Sequence, residues 1–196
     1  MTSLKNKISD LFKYRSNVKS DLVENFTNST ESQFENIIYL WKNSFNKSSV
    51  NTDKQIQFSK YFKFGSSINL VLNMCGKPKY VLDKKGFKMD ILIYMLKVKN
   101  CDVKFELHFY DGKLFFLNYT YLDIPDTEKQ HVIQAICEKH QINNLKHQIY
   151  KSVITDSDGN AITFENGTYF SVNYFAPNSK IASIAQSFDV FKSNVV

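Results

Sequence analysis

Residues 103–121 read VKFELHFYDGKLFFLNYTY, and their pattern sets the fold. Val103, Phe105, Leu107 and Phe109 alternate with Lys104, Glu106 and His108. That is the period of two expected of a strand with one apolar and one polar face. Asp111-Gly112 is a strong two-residue hairpin signal, and KLFFLNYTY (113–121) runs back from it. Upstream, MDILIYMLKV (89–98) is apolar almost throughout, as a central strand is. The stretch 89–121 therefore predicts an antiparallel meander with one face buried.

The segment before it, GSSINLVLNMCGKP (65–78), predicts a short helix capped at both ends. Ser66 or Ser67 supplies the N-cap hydroxyl. Ile68, Val71, Leu72 and Cys75 form the apolar face. Gly76 takes the left-handed position after the last turn, and Pro78 prevents continuation. The pattern then begins again. Pro125-Asp126-Thr127 opens a helix with Val132, Ile133, Ile136 and Cys137 on its apolar face. Strand signals return at HQIYKSVI (147–154), AITF (161–164) and TYFSVNYF (168–175), punctuated by Asp158-Gly159 and Asn166-Gly167. In the tail, residues 179–190 suit either a helix or a last edge strand.

Towards the amino terminus, residues 1–48 are polar and helix-like. Phe34, Ile37, Ile38, Trp41 and Phe45 recur at the spacing of one helical face. Glu31 and Glu35 sit early and Lys42 and Lys47 late, as the helix dipole favours. The expected organisation is an N-terminal helical arm (1–48), a linker (49–56) and an α+β domain (57–196) with halves at about 57–124 and 125–196. Each half is a helix followed by an antiparallel meander, the two sharing one sheet with helices on one face.

Against this background, F-x-F-G-S-S-x-x-x-V-x-x-x-x-G-K-P (62–78), followed by strands and F-Y-D-G-K-L (109–114), resembles the BamE/SmpA pattern. That pattern has a glycine-started helix, a G-x-P exit and a strand pair closed by a D-G-K-L turn. Tandem copies of such a unit also build the beta-lactamase inhibitor protein fold. The resemblance covers residues 62–121, without the lipoprotein signal of the family. It implies a small, non-enzymatic bacterial binding fold.

Composition narrows the function classes. With 17 Phe and 11 Tyr in 196 residues, the core is expected to be aromatic-rich, which suits sheet packing. No apolar run reaches the roughly 18 residues of a membrane span, and the start holds neither a secretory h-region nor a lipobox-like cysteine. Three cysteines, Cys75, Cys101 and Cys137, lie in apolar stretches and read as reduced core thiols of a cytoplasmic protein. The formal charge is +6, yet only Arg15 among the 25 basic residues is an arginine. Specific readout of bases or phosphates favours the arginine fork, so the lysine richness is weak support for nucleic acid.

The candidate sites are weighed on the same terms. DSDGN (156–160) begins like a calcium loop, but its glycine comes too early and no glutamate closes it, so it reads as a hairpin turn. His131, Cys137, His140 and His147 span 17 residues without a C-x-x-C, and read as a packed cysteine with solvent-facing histidines. KKGFKMDI (84–91) starts like an RNA-recognition motif and then departs from it at Lys88. Within the lysine-rich segment 77–104, Lys84, Lys85 and Lys88 are the candidate basic patch, and a solvated, lysine-protected sheet edge is the preferred account of the run. Glu106 and His108 share a strand face and are candidates for a polar pair in a groove, with no third group to complete a triad.

No nucleophile, P-loop, dinucleotide or zinc-protease motif occurs. The expected function is a non-enzymatic cytoplasmic interaction or adaptor protein without cofactor, metal or catalytic residues, its partner another protein. Phe34, Ile38, Trp41 and Phe45 are the candidate contact surface, with the sheet face as the other choice. The alternative is an electrostatic binder of nucleic acid or anionic membrane through 77–104. An enzyme with an unrecognised site stands third.

Overall fold

The computed structural model describes residues 30–84, 88–98, 100–142 and 148–193. In chain order these form α1 (Thr30–Ser44), β1 (Ser48–Asn51), α2 (Ile68–Cys75), β2 (Tyr80–Lys84), β3 (Met89–Val98), β4 (Cys101–Tyr110) and β5 (Lys113–Tyr121). Then follow α3 (Asp126–Lys139), a 3-10 turn (Ile149–Lys151), β6 (Ser152–Thr155), β7 (Ala161–Asn166), β8 (Phe170–Phe175) and α4 (Asn178–Ser193). The protein is mixed α+β, and the tail that suited helix or strand is helix α4.

All eight strands join one sheet in the order β1-β6-β7-β8-β5-β4-β3-β2. Strands β2 to β5 form one antiparallel meander and β6 to β8 another, and β5 pairs antiparallel with β8 to fuse them. The β4–β5 turn is tight because Asp111 and Gly112 both take positive φ, 49° and 68°, as a two-residue hairpin of primed type requires. One irregularity follows. His108 faces Phe116 and Phe109 faces Leu114, so Phe115 is an extra residue bulged from β5.

Burial separates two cores, one on each side of the sheet. On one side Val71 and Cys75 of α2 and Ile133 of α3 pack with Leu92, Phe105, Leu107, Leu117, Phe164 and Val172. On the other, Phe34, Ile37 and Trp41 of α1 join Ile181, Ile184 and Phe188 of α4 over Met89, Phe115, Phe116 and Phe175. Helices thus cover both faces, which corrects the expectation of helices on one face. The reason lies in the strands: Ile91 and Ile93 are as buried as Leu92 and Tyr94 on the opposite face of β3, and a sheet apolar on both sides needs two covers.

The stretch read as a linker is also ordered into the sheet. Ser48–Asn51 pairs in parallel with Ser152–Thr155. Thr52 donates from its amide to Thr155 and from Oγ1 to the His140 carbonyl at 2.6 Å. The Ile56 amide donates to Asp156 Oδ2 at 2.7 Å. A polar edge strand held by backbone pairing leaves no hydrophobic alternation to read.

Helix α2 is capped as its sequence predicts. Ser67 Oγ accepts from the Leu70 amide at 3.3 Å, and Gly76 donates to the Leu72 carbonyl at 2.8 Å. Gly76 has φ 75° and ψ −166°, a region occupied essentially by glycine alone. A Cβ there would meet no atom within 4 Å, so any penalty is conformational. Gly76→Ala is expected to lower stability by about 1–3 kcal/mol, read as a lower urea midpoint at unchanged slope. An unchanged midpoint would show that the backbone relaxes without strain.

Candidate functional site

The alternation of β4 turns its polar side towards α1. Lys104, Glu106 and His108 lie on that face, and the sheet register sets further polar residues beside them. Glu106 stands opposite Asn118, Asn118 opposite Asn173, and Asn173 opposite Thr163. One step along, Lys104 faces Thr120, and Thr120 faces Ser171. The result is a polar belt running across β4, β5, β8 and β7 within an otherwise apolar sheet.

The belt is buried and partly self-satisfied. Asn118 Nδ2 donates to Asn173 Oδ1 at 2.6 Å, Thr120 Oγ1 to Asn118 Oδ1 at 2.5 Å, and Asn173 Nδ2 to Thr163 Oγ1 at 3.3 Å. Lys104 Nζ lies 3.3 Å from Glu106 Oε2. Glu106 is 5% and His108 1% exposed, yet Glu106 Oε1 and both ring nitrogens of His108 have no hydrogen-bond partner among the described residues. Burial, with Lys104 beside it, pushes the His108 imidazole down to about 3. The ring is neutral near pH 7, with one donor and one acceptor, and it packs edge-on to Phe116 at 5.1 Å.

This belt floors a groove of about 450 Å³, within the size range of small-ligand sites. Gln33, Asn36, Ile37 and Leu40 of α1 form one wall, and the β7–β8 turn at Gly167, Thr168 and Tyr169 forms the other. The α1 residues recur at i, i+3, i+4 and i+7, one helical face. That helix is held by its neighbouring face: Phe34 meets Phe188 at 4.1 Å, and Trp41 Nε1 donates to Asn178 Oδ1 at 3.2 Å. At the rim Lys47 pairs with Glu165 at 2.5 Å.

The other candidates are placed as follows. Of the apolar stripe, Phe34 and Trp41 are buried within the chain's own core and Ile38 packs at its margin, while Phe45 is exposed. The stripe is largely used internally. Of the basic patch, Lys85 lies outside the described residues and Lys84 ends β2. Lys88 is exposed at the start of β3. Lys97 lies nine residues further along that strand, roughly 30 Å away, and Lys104 is buried in the groove. Among the described residues, Lys88, Lys97 and Lys104 are not gathered into one patch.

At DSDGN, Asp156 accepts from the Asn160 amide, Asn160 Nδ2 and the Ile56 amide, a turn between β6 and β7. Of the histidine set, His147 lies outside the described residues, His131 is exposed beside Glu128 at 3.4 Å, and Cys137 packs against the core. His140 corrects the expectation of solvent-facing histidines: it is buried at the end of α3, with both ring nitrogens unpartnered among the described residues.

Sequence reasoning reached Glu106 and His108 but missed Asn118, Thr120, Thr163 and Asn173. A signal was present. LNY in β5 and VNY in β8 each break an apolar strand with an asparagine before a tyrosine, and the two asparagines are direct cross-strand partners. Comparison of the chain with protein-family models, curated proteins and solved structures finds no match.

Two buried neutral histidines make a pH signature. Burial lowers His108 to about 3 and His140 to about 4 from an ordinary 6.5. Their unfolded forms therefore bind protons first as the pH falls, so stability is fully present above about pH 6.5 and declines below it. Each histidine contributes a slope of up to about 1.4 kcal/mol per pH unit. His108→Phe should flatten the decline between pH 6.5 and 5, measured by urea unfolding at fixed pH values. An unaltered slope would show that His108 is solvated or paired in solution.

Proposed function

We propose that the chain is a non-enzymatic binding protein that receives its partner, another protein, in the polar groove beside α1. The observation that carries this reading is the buried pair Glu106 and His108, with polar atoms left unpartnered on the groove floor. A buried polar group without a partner is costly, and a contact that completes its hydrogen bonds is correspondingly favoured. The chemistry of the groove floor supports binding over catalysis. An imidazole lowered to about 3 is a weak base at neutral pH.

The two-unit reading and the BamE-like resemblance belong to the same proposal. They draw support from the sheet order, in which α2 precedes the β2–β5 meander and α3 precedes the β6–β8 meander. No described helix is long and apolar enough to cross a membrane. Cys75, Cys101 and Cys137, none of them in a disulfide, suit a reducing cytoplasm.

Ser171 is half-buried on the groove floor, and Ser171→Phe fills the groove without touching the Asn118–Asn173 bond. The partner that copurifies with the wild-type chain from its native cells should be lost from this variant at unchanged circular dichroism. Lys88→Glu should retain it. Equal recovery of the partner with Ser171→Phe would move the contact surface elsewhere.

A further inference from the structure

Resting on the reading of the groove as the contact site, we propose that its ligand is an uncharged saccharide, free or displayed on the partner. Charge argues first. The ionic groups at the groove cancel in pairs, Lys104 with Glu106 at 3.3 Å and Lys47 with Glu165 at 2.5 Å. A charged ligand would have to break one of these pairs and leave its other member buried or half-buried, which is costly.

Hydrogen-bonding capacity argues second. Glu106 Oε1 needs a donor, and neutral His108 needs one donor and one acceptor. A hydroxyl both donates and accepts at a single atom, so neighbouring hydroxyls meet all three needs without a formal charge. The amide and hydroxyl groups of Asn118, Thr120 and Ser171 extend the same chemistry along the floor. Size and shape argue third. About 450 Å³ accommodates a sugar of one or two rings. Tyr169 on the wall and Leu40 of α1 offer apolar surface for the C–H faces of such rings.

The test uses the full chain on an array of neutral and charged saccharides, followed by amide-resolved NMR titration with the neutral sugars that bind. The expected result is saturable shifts confined to the groove, at 33–40, 104–108, 118–120 and 167–173. Acidic or amino-sugar counterparts should bind at least about tenfold more weakly, as expected when a buried polar group is left without its partner. Ser171→Phe should abolish the shifts, and Tyr169→Ala, a rim change that leaves the floor intact, should weaken them. A free disaccharide and the same sugar coupled to a carrier protein separate the two sources, and a response to either supports the proposal. No binding to any saccharide, equal binding of charged sugars, or shifts that persist in Ser171→Phe would overturn it. If instead a neutral Ser/Thr-rich peptide shifts the same amides, the saccharide is wrong and the groove stands as a protein contact site. If Ser171→Phe also keeps the copurifying partner, both readings fall.

Discussion

The pairing of β5 with β8 is the contact on which the rest of the molecule depends. It is the only direct strand pairing between the two meanders among the described residues, running from Phe116↔Phe175 to Tyr121↔Phe170. At its middle an amide meets an amide, Asn118 with Asn173 at 2.6 Å. Large side chains surround this bond on both faces: Leu117 and Tyr174 on one, Phe116 and Phe175 on the other. Losing one amide would leave its partner buried and unsatisfied, a penalty of about 1–3 kcal/mol. A slipped register would do the same to both while turning the flanking aromatics to the wrong side. The polar pair thus selects one register from a seam whose apolar residues alone are more permissive. It also creates the middle of the groove floor.

The groove owes its second wall to the division of labour on α1. One set of side chains, Phe34, Ile37 and Trp41, is committed to α4 and the sheet. Gln33 and Asn36 beside them face the polar belt. Anchoring by bulky aromatics fixes the height of the helix above the strands. The polar residues then line a space that is narrower than open solvent and wetter than a core. Lys104 and Glu106 lie buried at one end, where water screens charges poorly, so the field of either charge without the other would extend along the floor. Their pairing keeps that field small.

Much of this was legible in the chain. The period-two pattern of 103–110, the Asp111-Gly112 turn and the Ser67 and Gly76 caps correspond closely to β4, the β4–β5 hairpin and α2. Local chemistry alone dictates these features. The apolar stripe of α1 was legible as a stripe but not as internal packing, because its cover comes from Ile184 and Phe188 nearly 150 residues away. Strands β1 and β2 escaped notice: one is polar and edge-paired, the other is five residues long. Glu106 and His108 could be placed on a common face by parity. Their neighbours Asn118 and Asn173 could not, since their meeting depends on which strands are adjacent, and adjacency is a tertiary property that single-strand periodicity does not encode.

The bulge at Phe115 carries a consequence for how this chain can vary. Strand β5 has two phases: before the bulge its odd and even positions address the faces one way, and after it the other way. Leu114 and Leu117 therefore look to the same side although three residues separate them. Phe115 and Phe116 both look to the opposite side. Phe115 is the surplus residue of this ladder. With the turn at 111–112 held in place, excising it would set Phe109↔Leu114 directly beside His108↔Phe116, and Asn118 and Thr120 would keep their side. A residue lost beyond the bulge acts otherwise. It turns every later position of the strand to the other side, sending an amide or hydroxyl into the aromatic core and a tyrosine into the groove. Length changes past Phe116 therefore act as inversions of the strand, whereas those in the loop Leu122–Pro125 act as spacers. Natural variants of this architecture should lose length at the bulge or in the loops and spare the stretch from Leu117 to Tyr121.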